Sequence, residues 1–411
     1  MSAARLRLMA VATCLALAAC GGLPFLRGSS TGPGAIKGPV KVGLVDVFSG
    51  ASPYASQGPY LQNSLQLQID ALNARGGLLG VRVQLVTADD QLNPDRTREA
   101  VRQLLADRSV RLLVGPSFAG LYLAAKPLVE TARVPNCLTS MAADDLMQRA
   151  PYSFRMQAQD RAAVPALLAY VQHGTQIKKL ALIAEGDGVG QGYDQQLSDQ
   201  ASKYGLQYLG AAFVPPNGDQ KAQVQQLLKQ GVDAVVLSGN AATATKTLQA
   251  ISALKATARL KALGFSGLGG YGFPQAAGDP ANGVTFISTI ETYLSDLPEA
   301  RWPPAYRDFV KNAQARFGPA QNGIEMKAVP GAAECVVDWA RAVQAANDFD
   351  GTRVAAAWER LDVPAAQSLL GVRERYAPDD HDAVPVDGLS VYQWVKTADR
   401  WVLKQLVGAA A

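Results

Sequence analysis

The sequence predicts an α/β protein built of two tandem lobes, each around a parallel-type sheet, and three features carry that expectation. Val110–Leu146 reads as strand, small-residue loop, helix, strand, small-residue loop, the signature of a parallel βαβ unit. From Val40 onward, short β-branched runs alternate regularly with amphipathic segments, and the alternation restarts after His173. The length, 411 residues with 48% hydrophobic side chains, suits two cores better than one.

In order, Val40–Val47 is the first predicted strand, and Tyr60–Ala74 a helix with Leu61, Leu65, Ile69 and Leu72 on one face. Gly76-Gly77 ends that helix as a C-terminal cap does. Val81–Thr87 is the next strand. Asn93 then caps a helix with Pro94 at its first position, continuing through Val101, Leu104 and Leu105. Val110–Val114 and Val134–Leu138 flank the helix Gly120–Ala132, and Tyr152–Met156 follows. After a helix near Val164–His173, strands are expected at Lys179–Ala184, Gln207–Phe213, Asp233–Ser238, Lys261–Phe265 and Val284–Ser288. Between them lie helices at Gly192–Tyr204, Asp219–Gln230 and Thr243–Leu254. Pro304–Phe317 and Gly331–Asn347 are further helices, and Leu389–Val395 with Trp401–Leu406 reads as a closing hairpin.

Residues 1–20 read as a secretion signal: Arg5 and Arg7 precede the apolar run Leu8–Leu17, which is too short to span a bilayer. Leu17-Ala18-Ala19-Cys20 resembles a bacterial lipobox, with Cys20 as the lipidated residue that would hold the protein to a membrane. Residues 21–36 are then a Gly- and Pro-containing tether. The formal charge is +4, and removal of Arg5 and Arg7 leaves +2, which speaks against a nucleic-acid partner. Of four cysteines, Cys137 and Cys335 remain in the mature body. An exported compartment permits a bridge between them, but an apolar strand end and an amphipathic helix read first as two buried thiols.

Catalysis finds little footing. The two histidines, His173 and His381, pair by pattern with no nucleophile, and no Gly-x-Ser-x-Gly elbow stands between a predicted strand and helix. Metal-ligand spacing of Cys and His is lacking, and no cofactor is expected. The glycine-rich stretch Gly186–Gly192, GDGVGQG, does not give GxGxxG in any register and reads as a turn opening a helix.

Lys41-Val42-Gly43, Ser49-Gly50, Gly58, Asn73-Ala74-Arg75-Gly76-Gly77, Asp89-Asp90 with Pro94, Val114-Gly115-Pro116, Val134-Pro135 and Tyr376–His381 occur in an order that resembles the type I periplasmic binding proteins. The likeness is to their leucine/isoleucine/valine-binding branch, and it spans about Ile36 to Leu406. It implies two Rossmann-like lobes joined by a three-strand hinge: 37–157 with 289–388, and 158–288 with 389–406. It also implies a small-molecule solute held between the lobes and delivery to the permease of an ABC importer. The rival readings are an envelope lipoprotein with a degenerate pocket that regulates a partner protein, and a ligand-sensing domain.

The expected crevice lies outside the carboxyl ends of the strands. Its candidate lining is Ser49, Tyr54 and Gln57 from the first loop, Ser117, Phe118, Ala119 and Gly120 from the second, and Ser140, Met141 and Ala142 from the third. The second lobe offers Asp187, Val189, Asn240 and Ser266. Amino-acid-binding relatives hold the ligand carboxylate and ammonium with serine, threonine and acidic side chains; the matching positions here are Ala119 or Gly120, Ala142 and Ser266. Tyrosines of those relatives match Val189 and Asn240. These departures predict a solute other than a standard α-amino acid. Small polar residues at strand ends also serve as plain turn formers, and Phe118 and Met141 equally suit a core.

Overall fold

The computed structural model describes residues 38–50, 57–139, 141, 144–186, 188–215, 218–238, 240–270, 272–289, 297–318, 329–398 and 400–407. The signal, the tether and Cys20 lie outside the described residues.

The first sheet is entirely parallel, in the order β2-β1-β3-β4-β5. Its strands are β1 (Val40–Asp46), β2 (Val83–Asp89), β3 (Val110–Val114), β4 (Asn136–Leu138) and β5 (Ser153–Arg155). Helices α1 (Gln57–Ala74), α2 (Pro94–Ala106) and α3 (Ala119–Ala132) connect the first four. Local chemistry sets their ends. Asn93 Oδ1 accepts from the Asp95 and Arg96 N–H groups at 2.9 and 3.1 Å, with Pro94 opening α2. Gly77 closes α1 at φ +82°, its N–H on the Leu72 carbonyl at 3.0 Å.

The second sheet runs β14-β13-β10-β9-β8-β6-β7. Strands β6 (Lys179–Ala184), β7 (Gln207–Phe213), β8 (Ala234–Leu237), β9 (Lys261–Gly264) and β10 (Thr285–Thr289) are parallel. The hairpin β13 (Leu389–Lys396) and β14 (Trp401–Val407) adds antiparallel beside β10. Around this sheet pack α4 (Asp160–Gly174), α5 (Gly188–Gln200), α6 (Lys221–Lys229), α7 (Ala241–Ala253) and α8 (Gly272–Ala277). Its faces bury two separate clusters, one around Val235, Leu248, Phe286 and Trp394, the other around Leu168, Leu182, Val236 and Phe265. A parallel sheet buried on both sides explains why these strands read as continuous apolar runs.

After β10 the chain returns to the first sheet's side as α9 (Pro304–Phe317), α10 (Pro330–Ala346) and α11 (Gly351–Trp358), then the two-stranded β11 (Asp362–Val363) and β12 (Glu374–Arg375). The helix α11, capped by Asp350, escaped the sequence reading. Trp358 stacks on Phe154 of β5 at 4.3 Å, and Phe154 stacks on His381 at 4.5 Å.

One expectation is overturned. Cys137 of β4 and Cys335 of α10 form a disulfide, their Cα atoms 5.8 Å apart, in place of two free thiols. The fold lays α10 against the first sheet, so residues 198 positions apart become neighbours.

Candidate functional site

Both sheets share one strand logic. In the first, order 2-1-3-4-5, the direction of winding reverses between β1 and β3. In the second, β7-β6-β8-β9-β10 repeats that order, with the reversal between β6 and β8. Loops leaving the sheet at such a point diverge and open a crevice at the carboxyl ends of the strands.

Each reversal is spanned by a hydroxyl-to-carboxylate hydrogen bond. Ser117, in the loop after β3, donates to Asp46 at the end of β1. Thr243 of α7 donates to Glu185, just after β6, at 2.5 Å. Gly115 lets the first of these loops lie against β1: it sits at φ +89°, and a Cβ there would come within 2.1 Å of the Val45 carbonyl.

Asp46 is 1% exposed, its Oδ1 accepting from Val47 N–H at 2.7 Å. Burial pushes its carboxyl up to about 6, opposed by the Ser117 and Val47 donors and helped by the charges of Asp90 and Asp89. Although burial raises Asp89, donors from Phe48, Ser49 and Gln91 hold it below the usual carboxylate range. These acids are committed to the loops themselves.

The expected lining residues divide accordingly. Tyr54, Ser140, Ala142 and Asp187 lie outside the described residues. Ser49 is exposed and ties its loop to β2 through Asp89; Gln57 opens α1, half-buried. Phe118 is half-buried and precedes α3, whose start has no side-chain cap. Ala119 is half-buried, while Gly120 is exposed with nothing within 4 Å of where a Cβ would stand. Val189 lies in the first turn of α5, 40% exposed. Ser266 is half-buried, and its hydroxyl accepts from Gln157 Nε2 at 3.3 Å.

Three of the candidate residues have partners within the fold: Ser117 through its bond to Asp46, and the two that follow. Met141 is 4% exposed and packs with Tyr122, Leu138 and Leu146. The Asn240 side chain caps α7, accepting from Ala242 and Thr243 N–H at 3.0 and 3.2 Å.

Gln157 was missed as a site residue. It follows β5, at the carboxyl end of the first sheet, and reaches Ser266, which follows β9 at the carboxyl end of the second. Its Oε1 is buried without a hydrogen-bond partner, as is Thr139 Oγ1 beyond β4. A lone glutamine after a short strand carries no sequence signal; only the approach of the two sheets reveals it.

The model of the periplasmic binding protein family matches residues 39–399. The chain belongs to that family. A Leu/Ile/Val-binding protein of Rhizobium johnstonii is 24% identical over 295 residues, covering 70% of this chain and 79% of the relative. Among solved structures, a type 1 periplasmic binding protein of Bordetella pertussis Tohama I superposes with a TM-score of 0.74 at 20% identity, over 90% of this chain and 100% of its own. A solute-binding protein of an ABC transporter from R. palustris, in complex with 4-hydroxybenzoate, gives a TM-score of 0.72 at 20% identity, over 90% and 96% of the two chains. The family is one of exported, solute-binding proteins rather than enzymes. Among the described residues no helix is long and apolar enough to cross a membrane.

Proposed function

We propose that this periplasmic binding protein captures a carboxylate-bearing, preferably aromatic, solute for an ABC importer, and that it does so tethered through lipidated Cys20. The lobes would be 37–157 with 289–388, and 158–288 with 389–406, closing over the solute. The observation that carries the reading is the start of α3. It sits at the first sheet's reversal point with no side-chain cap, Gly120 open beside it and Phe118 half-buried next to it. A helix N-terminus receives an oxyanion through backbone N–H groups without a basic side chain. An α-ammonium is less well served, because Asp46 is buried on Ser117 and Asp89 is occupied by its own loop. Burying an unpaired ammonium costs several kcal/mol. The relative bound to 4-hydroxybenzoate supports this ligand class; the relative named for Leu, Ile and Val supports the amino-acid alternative.

A thermal-shift panel with 4-hydroxybenzoate, other aromatic acids and the branched-chain amino acids decides between them. A ligand at about 100 times its Kd stabilises the fold by roughly 2.7 kcal/mol. Aromatic acids are expected to produce the shift, with a smaller radius of gyration by small-angle scattering. Leucine, isoleucine or valine acting at micromolar concentration would overturn the ligand assignment.

A further inference from the structure

Away from the crevice, the first lobe buries a group of charges that the binding reading does not use. Glu334 and Asp338 lie one turn apart on α10, and Glu374 comes from β12. All three are 0% exposed, and one oxygen of each lies within 4.8 Å of the others. Among the described residues, the cation facing them is Arg341, also on α10, whose Nη1 sits 2.6 Å from both Glu334 Oε1 and Asp338 Oδ1. The neutral donors are already spoken for. Leu369 N–H serves Glu334 Oε2, and the Tyr376 hydroxyl serves Asp338 Oδ2 at 2.6 Å while standing 3.5 Å from Glu374 Oε2. Glu374 Oε1 is buried with no hydrogen-bond partner.

Three ionised carboxylates against one guanidinium would leave uncompensated charge in a water-free interior, which folded proteins avoid by neutralising an acid or adding a cation. Arg341 already occupies the cationic position between Glu334 and Asp338, so a metal ion there would face a fixed positive charge. A proton meets no such opposition. It fits best on Glu374, whose donors among the described residues are only the neutral Ser368 and Tyr376 hydroxyls and which packs against Asp338. We propose that the first lobe folds around a retained proton, held on Glu374 and shared with Asp338, which the native protein keeps through neutral pH and gives up on alkalinisation. Burial and the neighbouring carboxylates push Glu374 well up, and burial with Asp338 raises Glu334 to about 8.

The device is coupled to the rest of the lobe. Glu334 adjoins Cys335, whose bridge holds α10 to β4, and Gly331 at the start of α10 packs beside Thr139 and Met156 at the sheet's carboxyl end. An acid whose folded pKa is raised favours folding most below its unfolded value, near 4.5, and that advantage is lost as pH rises through the folded value. Stability should therefore fall as pH rises above about 4.5, and go on falling beyond pH 6, where the Asp46 contribution has ended.

The test uses the mature chain and its Glu374→Gln variant. Infrared difference spectroscopy at pH 7.5 should show the carbonyl stretch of a protonated, buried carboxylic acid in the wild type, and a weaker one in E374Q. Calorimetric unfolding at that pH, in buffers of different ionisation enthalpy, should release about one proton more from the wild type than from E374Q. E374Q should also show a shallower fall in Tm with pH above pH 6 than the wild type. Should E374Q not fold, the wild-type band and its proton release stand alone as the test. Absence of that band overturns the proposal. So does a Tm raised by calcium or lowered by a chelator in the wild type and not in E374Q, since the cluster would then hold a cation.

Discussion

Removing the Asp382 carboxylate should be the most costly single change near the passage between the two sheets. Arg155, the last residue of β5, is 0% exposed, and Asp382 is 3% exposed. Their contact is bidentate, Nε to Oδ1 at 2.6 Å and Nη2 to Oδ2 at 3.0 Å. The backbone reinforces it: Arg155 N–H donates to the His381 carbonyl at 2.9 Å, and Ala383 N–H to the Arg155 carbonyl at 2.8 Å. Gln159, leading into α4, adds its amide to Asp382 Oδ2. Asp382→Ala removes the carboxylate that faces this buried guanidinium, whose Nη1 also lies 3.3 Å from the Met141 carbonyl. Stranding one member of a buried pair costs about 3–5 kcal/mol. With an unfolding entropy of roughly 2.1 cal/mol/K per residue, a body of this size loses about 4–6 °C of Tm. The half-exposed pair Lys41–Asp107, with side chains 28% and 42% accessible, is the control and should cost under about 1 kcal/mol on Asp107→Ala after its Ser109 contacts are allowed for. Arg155→Met with Asp382→Leu should recover most of the loss, because the desolvation cost of both charges disappears. Scanning calorimetry on these three variants and the wild type reads all of this. An Asp382→Ala cost below about 1 kcal/mol would refute the reasoning, since it would mean that water reaches the guanidinium.

Other changes have equally definite expected outcomes. Replacing Cys137 and Cys335 by Ala should destabilise by about 2–5 kcal/mol in urea titrations, as a bridge closing a long loop constrains the unfolded chain. Asp46 rises from 3.8 to about 6 on folding, so its own contribution to stability is greatest below pH 4, declines by about 3 kcal/mol up to pH 6 and is gone beyond; Asp46→Asn should flatten that stretch in a urea-midpoint series. Gly115→Ala should cost several kcal/mol, because its φ of +89° and the Val45 carbonyl both oppose a side chain; near-wild-type Tm would contradict that. Cys20→Ala should abolish fatty-acid labelling and release exported protein from membranes.

Much of the scaffold was legible because its signals are local. Lys179–Ala184, Gln207–Phe213 and Pro304–Phe317 fall where periodicity places them, and Asn93-Pro94 begins α2 through its own side chain. The rest depends on approach between distant segments. Buried free thiols and a disulfide leave the same local pattern, so Cys137 and Cys335 could be separated only by the packing of α10. Asn240 reads equally as a ligand amide or a helix cap until α7 is seen to start behind it. The acids of α10 and β12 are invisible as a group, since 40 positions separate Glu334 from Glu374 and each alone looks like a surface carboxylate. Gln157 and Ser266 meet only because two sheets face each other.

The Cys137–Cys335 bridge has a topological result beyond stability. All strands from β6 to β10, with α4 to α8, lie between its two ends. The second sheet is mostly strung inside a covalent ring whose clasp sits in the other half of the molecule, with only the β13–β14 hairpin coming from outside. A protease that cuts one loop within the ring produces two fragments but not two molecules: they stay joined until the clasp is reduced. In an oxidising compartment, a nicked copy keeps both halves within reach of each other, and the inserted sheet can refold against its partner without a search through solution.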